Sequence, residues 1–330
     1  MMGAEVRGSR VQDGGTESAA LATAIELPAM RALVTGATGF LGSHLVHLLL
    51  AQGDEAAVLV RPASNRGRLA DVVDRLTLVE AHLEQLQTAR GQIAAFAPDT
   101  VFHLAWEGVH GAARDEAGRL RGNVQRTLEL LDLAANLGCS AFVGLGSQAE
   151  YGPASGVIDE ETPLRPTTPY GVGKLAVGLL IEPLARARGM RGVWLRLFSS
   201  YGPSDEPSYM IPYVICALLA GRVPHLTAGG QYCDTLYCMD VAGALRAAAS
   251  TDGCHGQYVL ASGAAYTVRE IAETIRDTIA PSATLDFGAP AQHPGWLGSH
   301  QRLTRDTGWS PTVDLRAGLA KTILWWREHC

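Results

Sequence analysis

From Arg31 onward, short, nearly all apolar runs alternate with longer segments whose apolar residues recur every three or four positions. The runs "RALVT" (31–35), "AAVLV" (56–60), "LTLVE" (76–80), "TVFHLA" (100–105), "AFVGLG" (141–146) and "GVWLRLF" (192–198) predict strands. Between them, "FLGSHLVHLLLAQG" predicts a helix stopped at Gly53, and "LEQLQTARGQIAAFA" predicts one ended by Pro98. "RLRGNVQRTLELLDLAANLG" predicts a long helix with Leu120, Val124, Leu128, Leu131 and Ala135 on one stripe. Strands without a polar face, alternating with helices, predict a parallel sheet covered on both sides. After about residue 199 the rhythm breaks and Pro and Gly become frequent. "MDVAGALRAAAS" and "GQYVLA" read as a return to the sheet. "TVREIAETIRDTIA" and "DLRAGLAKTILWWREH" read as amphipathic helices outside it.

The expected class is therefore α/β, a doubly wound parallel sheet with a smaller, interrupted α/β domain. Residues 30–198 form the first domain, which the chain re-enters at 234–261, and residues 199–233 and 262–330 form the second. Residues 1–29, rich in Gly, Ser, Ala and Glu without periodicity, are expected to be a flexible extension.

Composition narrows the partners. With 330 residues, 47% of them apolar and 18% charged, the chain has the make-up of a soluble globular protein. A net charge of -6 argues against nucleic acid as the main partner. No apolar run reaches the roughly 20 residues of a membrane span. The first 29 residues are too interrupted by acids for a signal peptide, so a cytoplasmic protein is expected. The six cysteines, at 139, 216, 233, 238, 254 and 330, contain no C-x-x-C pair and are expected to be reduced thiols. Cys233 and Cys238 lack a second close pair to complete a metal site, so no metal is expected.

The stretch "VTGATGFLGSHL" changes the picture. Gly36, Gly39 and Gly42 fall between the first strand and the first helix, where a tight turn, close backbone approach and free helix N–H groups suit a pyrophosphate. A Rossmann-like dinucleotide domain follows. NAD binders usually carry an acid at the end of the second strand. Here Arg61 follows that strand, with Ser64, Asn65, Arg66 and Arg68 close behind. A guanidinium suits a 2′-phosphate, which points to NADPH in preference to NADH.

In "TTPYGVGKLA", Tyr170 and Lys174 are four residues apart, hence on one helix face. An ammonium beside a phenol lowers its pKa and makes it a usable proton donor near neutrality. The bland alternative is a tyrosine packed on its helix beside a snorkelling lysine. The segments "TGATGFLG", "HLAW", "GSQAEYG", "YGVGK" and "RLFSSYGP" occur in this order. Together they resemble the extended short-chain dehydrogenase/reductase family, in its branch of NDP-sugar epimerases, dehydratases and reductases. The resemblance runs from about residue 31 to the C-terminus, where "TGWSP" and "WWRE" fit the family's ending. It implies a catalytic group of Ser147, Tyr170 and Lys174, supported by Asn123. It implies cofactor contacts from Gly36, Thr38, Gly39, Phe40, Leu41, Gly42, Arg61, Asn65, Leu83, Leu104, Ala105, Trp106, Tyr170, Lys174 and Phe198. Substrate contacts are expected from His110, Gln148, Glu150, Ser199, Ser200, Gln231 and Arg302. His103 would sit beside the cofactor or simply be hydrogen-bonded at a strand end. Trp106 and His110 would touch substrate or cap the cleft, and Glu150 and Tyr151 would line it. A homodimer is the family expectation, through the Leu120 to Ala135 stripe and Leu175 with Leu179.

Dehydratases of this branch usually carry Asp-Glu directly after the catalytic Thr, and here Gln148 and Ala149 follow Ser147. Epimerases typically hold NAD with an acid after strand two. "LVRPASN" and "GSQAEYG" resemble bacterial reductases of NDP-4-keto-6-deoxyhexoses. The resemblance therefore implies an NADPH-dependent reductase of the C4 ketone of a nucleotide-activated sugar, with dTDP the expected nucleotide, in deoxysugar biosynthesis. A 4-epimerase, a reductase of a non-nucleotide ketone and a non-catalytic NADP(H)-binding regulator are the alternatives. One departure stands out: Cys233 occupies a place where the family has an Arg on the substrate diphosphate, so Arg222 or Arg302 would supply that charge, or the ligand differs.

Overall fold

The structure is a computed structural model that describes residues 29–109, 111, 114, 116–154, 156–291 and 295–330. The expectation for the N-terminal extension falls, apart from Ala29, outside the described residues. In chain order the first half contains β1 (Arg31–Thr35), α1 (Phe40–Ala51), β2 (Glu55–Val60), β3 (Thr77–Glu80), α2 (Leu86–Phe96), β4 (Thr100–His103), α3 (Ala117–Asn136), β5 (Ala141–Ser147) and β6 (Val157–Ile158). The second half contains α4 (Pro169–Arg186), β7 (Arg191–Leu197), β8 (Ser199–Tyr201), α5 (Met210–Leu219), β9 (His225–Leu226), β10 (Tyr232–Cys233), β11 (Thr235–Tyr237), α6 (Cys238–Ser250), β12 (Gly256–Leu260), α7 (Val268–Ile279), β13 (Asp286–Phe287), β14 (Gly295–Gly298), α8 (Gln301–Thr307) and α9 (Leu315–His329).

Seven strands form the central sheet in the order β12-β7-β5-β4-β1-β2-β3, all parallel. The order reverses between β1 and β4, where Thr35 pairs with His103. At such a switch point the connections leave in opposite directions and open a crevice at the strand C-termini. Alternation divides the sheet residues between two cores. Ala32, Val34, Val143, Val193 and Leu195 pack on one face with α1 and α6. Leu33, Phe142 and Trp194 pack on the other with α2, α3 and α4. Both faces are covered, as the apolar strands require.

Trp194 fits only because glycines face it. A Cβ on Gly144 would lie 2.5 Å from its ring, and one on Gly178 of α4 would lie 2.6 Å away. α4 therefore sits close on β5 and β7. Its start is set by Thr168, whose side chain accepts the Gly171 N–H, and by Pro169 in the first helical turn. On the opposite face, Arg246 of α6 forms a buried ion pair with Asp54 at 2.7 Å, and Asp54 also accepts the Met30 N–H.

A third core belongs to the later elements. Tyr201, Ile211, Ile215, Ile271, Ile275, Leu319 and Trp326 pack together, joining α5, α7 and α9. Parallel pairing of β8 with β11 connects this lobe to the sheet. The expectation of six free thiols is corrected here. Cys216 of α5 and Cys330 are joined in a disulfide across 114 residues, while Cys139, Cys233, Cys238 and Cys254 are free. The packing of α5 against α9 brings their Cα atoms to 5.7 Å, a proximity that local cysteine spacing does not encode.

Candidate active site

A cavity of about 880 Å³ runs along the switch point, from the glycine loop to the later lobe. Gly36 has a positive φ of 72°, and a Cβ there would lie 2.6 Å from the Ala105 backbone nitrogen. A Cβ on Gly42 would lie 2.1 Å from the Gly36 carbonyl oxygen. These two glycines pack the turn, whereas Gly39 opens α1 as its N-cap. No side chain caps α1 and no acid occupies its first turn. Its first N–H groups and positive dipole end therefore meet the cavity, the arrangement that receives a diphosphate.

Beyond β2 the same cavity is lined by Arg61, Ser64 and Arg68. Arg68 donates to the carbonyls of Thr38 and Ser204. Arg66 is turned away in an ion pair with Glu80. Arg61 has no ion pair with a described residue, and the strand ends in Val60 where a carboxylate would favour a ribose hydroxyl. These features fit a nicotinamide dinucleotide at this crevice.

At the other end, β5 presents Ser147 and α4 presents Tyr170 and Lys174. Burial pushes the Tyr170 phenol up, opposed by the neighbouring Ser147 hydroxyl and by the charge of Arg114. Lys174 Nζ donates to the Leu145 carbonyl at 2.7 Å and lies 3.9 Å from the Trp106 ring centroid. Burial brings this ammonium down to about 7, and the nearby charge of Glu150 opposes the fall. Asn123 clasps the loop after β4: its Oδ1 accepts the Glu107 N–H at 2.9 Å and its Nδ2 donates to the Glu107 carbonyl at 2.8 Å. His103 is buried between the Thr35 and Thr127 hydroxyls at 2.7 and 2.9 Å. Burial, then the charges of Lys174 and Arg126, hold it down at about 3, so it is neutral and does not line the cavity.

Of the remaining expected contacts, Thr38, Phe40, Leu41, Leu83, Leu104, Ala105, Trp106, Gln148, Phe198, Ser199 and Ser200 line the cavity. Four lie elsewhere. Asn65 uses its side-chain oxygen to accept the Gly67 N–H in its own turn. Gln231 donates to Thr227 and is away from the cavity. Arg302 stacks near Tyr258 at 5.0 Å and lines a separate open cavity of about 370 Å³ with Arg196 and His255. Glu150 is fully buried behind Ser147. Its Oε1 accepts the Ser147 N–H and Trp194 Nε1–H, both at 2.9 Å, and its Oε2 accepts Arg196 Nε–H at 2.9 Å. Tyr151 is buried as well, accepting from Arg196. His110 lies outside the described residues.

Several cavity residues carry no sequence signal. The Arg114 guanidinium lies 4.2 Å from the Tyr170 ring centroid. Tyr209 and Asp205 enter from the loop after β8, and burial pushes Asp205 up to about 7. Cys233 also lines the cavity, its thiol raised to about 11 by burial and the charge of Asp234. Arg222 does not line the cavity, so neither arginine expected to replace the family's diphosphate contact is present there.

The sequence model of the NAD dependent epimerase/dehydratase family matches residues 32–261. The chain is 30% identical to a dTDP-glucose 4,6-dehydratase of Streptomyces griseus over 313 residues, covering 90% of this chain and 94% of that protein. It is 29% identical to a UDP-glucose 4-epimerase of Mycolicibacterium smegmatis, covering 91% and 99% of the two chains. The crystal structure of a UDP-glucose 4-epimerase of Thermus thermophilus, complexed with NAD, superposes with a TM-score of 0.80 at 26% identity, covering 91% of this chain and all of that one (100%). With the glycine loop, the parallel sheet and the Ser147–Tyr170–Lys174 group already in place, the match over most of the chain settles the kinship: the protein belongs to the NAD dependent epimerase/dehydratase family.

Proposed function

We propose that this protein is an NADPH-dependent reductase of the C4 ketone of a nucleoside-diphosphate 4-keto-6-deoxyhexose. The observation that carries the reading is the pairing of a Ser147–Tyr170–Lys174 cluster with an Arg61 end in one continuous cavity. Bound along that cavity, NADPH supplies a hydride for the C4 carbon. The Ser147 hydroxyl donates a hydrogen bond to the C4 oxygen, and Tyr170 gives that oxygen its proton, so ketone, hydride and proton become the alcohol. Lys174 stabilises the phenolate left behind, which is reprotonated from solvent. Trp106 and Tyr209 line this end of the cavity.

Two absences favour reduction. Gln148 and Ala149 offer no acid–base pair for eliminating water. Val60 and Arg61 stand where a tightly held NAD would find a carboxylate. The epimerase relatives favour a second reading, C4 epimerisation of a nucleotide sugar. Nicotinamide absorbance separates the two. Net NADPH oxidation with a dTDP-4-keto-6-deoxyhexose supports reduction, and a C4 epimer formed without net oxidation supports the second reading.

We further propose a homodimer through α3 and α4. Val172, Leu179 and Leu180 of α4 are exposed, and Leu120, Val124 and Leu128 extend the same apolar surface on α3.

A further inference from the structure

Glu150 is buried and does not line the cavity, and its surroundings are more specific than a buried ion pair needs. We propose that Glu150 is a positioning residue for the redox pair: one buried carboxylate fixes Ser147 through its backbone N–H and supplies the counter-charge for the Lys174 ammonium. Three donors converge on it: the Ser147 N–H, the Trp194 indole and the Arg196 guanidinium. That is the coordination of an ionised carboxylate, which accepts and does not donate. Ser147 and Glu150 form a reciprocal capping box, so the carboxylate holds the turn on which the catalytic hydroxyl rides. Room for it is made by Gly146, where a Cβ would lie 2.5 Å from Glu150 Oε1.

The groups facing Lys174 single out Glu150 as its anion. From its own helix comes the neutral Tyr170 phenol, with Nζ 6.0 Å from the ring centroid. From the loop after β4 comes the Trp106 ring, and from β7 the Trp194 ring, 5.4 Å away. His103 on β4 is neutral and Arg126 of α3 is positive, so neither offers a counter-charge. Arg196 on β7 is paired with Glu150 and Arg114 lies over the Tyr170 ring, and both are positive. Burial lowers Lys174, and the carboxylate is the one charge that raises it. Arg196 is paired with Glu150 at 2.9 Å and also donates to Tyr151, while its Nη2 has no hydrogen-bond partner among the described residues.

The test is unusually clean because the sequence contains two lysines only, Lys174 and Lys321. In the intact chain labelled with [13Cε]lysine, two NMR signals titrate. Glu150 matters to catalysis only if Lys174 serves the proton transfer proposed above, but its effect on Lys174 is read here without any substrate. In wild type the Lys174 midpoint lies near neutrality. Glu150→Gln lowers it by about one pH unit or more, while Lys321 is unchanged. Arg196→Met, which removes the competing cation, leaves the midpoint in place or raises it. A midpoint unmoved by Glu150→Gln overturns the proposal. So does a fall in both variants, which would report general loosening of the site. Should Glu150→Gln unfold because Arg196 is stranded, the double variant Glu150→Gln/Arg196→Met carries the same expectation of a lowered midpoint. If the midpoints behave as expected while no variant alters NADPH oxidation, the reductase reading fails and the charge coupling stands.

Discussion

Lys174 has one carbonyl partner and three aromatic rings around its ammonium, and burial brings it down to about 7. Below that pH the folded protein buries a charge that the unfolded chain keeps in water. Between about 7 and the ordinary lysine value of 10.5 the folded state has shed its proton and the unfolded state has not. The unfolded state then binds more protons, so stability rises with pH across that window. Lys174→Met is therefore expected to stabilise the cofactor-free protein by a few kcal/mol below pH 7, about 1.4 kcal/mol for each unit of depression, with the advantage shrinking as pH rises. Thermal melts of both proteins at about pH 6 and pH 9 check this; equal differences at the two pH values would contradict it. Arg61 is the other residue with a sharp expectation. Arg61→Ala loses a charged hydrogen bond of about 1.5–3 kcal/mol, so NADPH affinity drops roughly ten- to hundredfold while NADH affinity barely changes. Fluorescence titration with both cofactors reads the ratio. At this scale the sequence was an uneven guide. Tyr170 and Lys174 stood out by their spacing of one helix turn on α4 and Ser147 by the resemblance of its segment, and the structure brings all three to one cavity. Glu150 was assigned to the substrate because its partners Trp194 and Arg196 are more than forty residues away, where local pattern says nothing. Arg114 was missed for the same reason: only the path of the loop after β4 sets it on the Tyr170 ring.

The elements themselves were largely readable. Period separates the apolar strands from the helices, and the return of the chain to the sheet ends in β12 paired with β7. The early strand boundaries moved little. β4 stops at His103, so Leu104 and Ala105 of "TVFHLA" belong to the cavity wall and not to the strand. The long stripe of α3 was less decisive, because the same helix serves two surfaces. Leu130, Leu131 and Ala134 enter the core, while Leu120, Val124 and Leu128 remain partly open, and Val172, Leu179 and Leu180 of α4 are exposed. Such a two-helix apolar face is expected to bury itself against its own copy. Light scattering of the purified chain should give the mass of a dimer, and Leu179→Asp should shift it toward monomer. A monomeric wild type at micromolar concentration would contradict the proposed interface.

At the scale of the whole molecule, function follows from how two lobes share one cavity. The sheet's reversal between β1 and β4 places the glycine loop and the Tyr170 helix along one crevice. The later lobe, with its own core and the Cys216–Cys330 link, brings Asp205, Tyr209, Met210 and Cys233 to the far wall. That lobe was the least legible part of the chain. Its strands are two to four residues long and pair across large separations, as β8 does with β11, so no local period announces them. The same lobe contributes Cys233 in place of an expected arginine, which leaves the recognition of the sugar nucleotide to other cavity residues. The proposed reaction passes a hydride from NADPH to C4 of a nucleotide sugar. The most direct measurement uses NADPH deuterated at the transferred position, with enzymatically prepared dTDP-4-keto-6-deoxyglucose and NMR of the sugar product. The predicted result is one deuterium at C4, absent with Tyr170→Phe. Unlabelled product, or a C4 epimer formed while the deuterium stays on the nicotinamide, would contradict it.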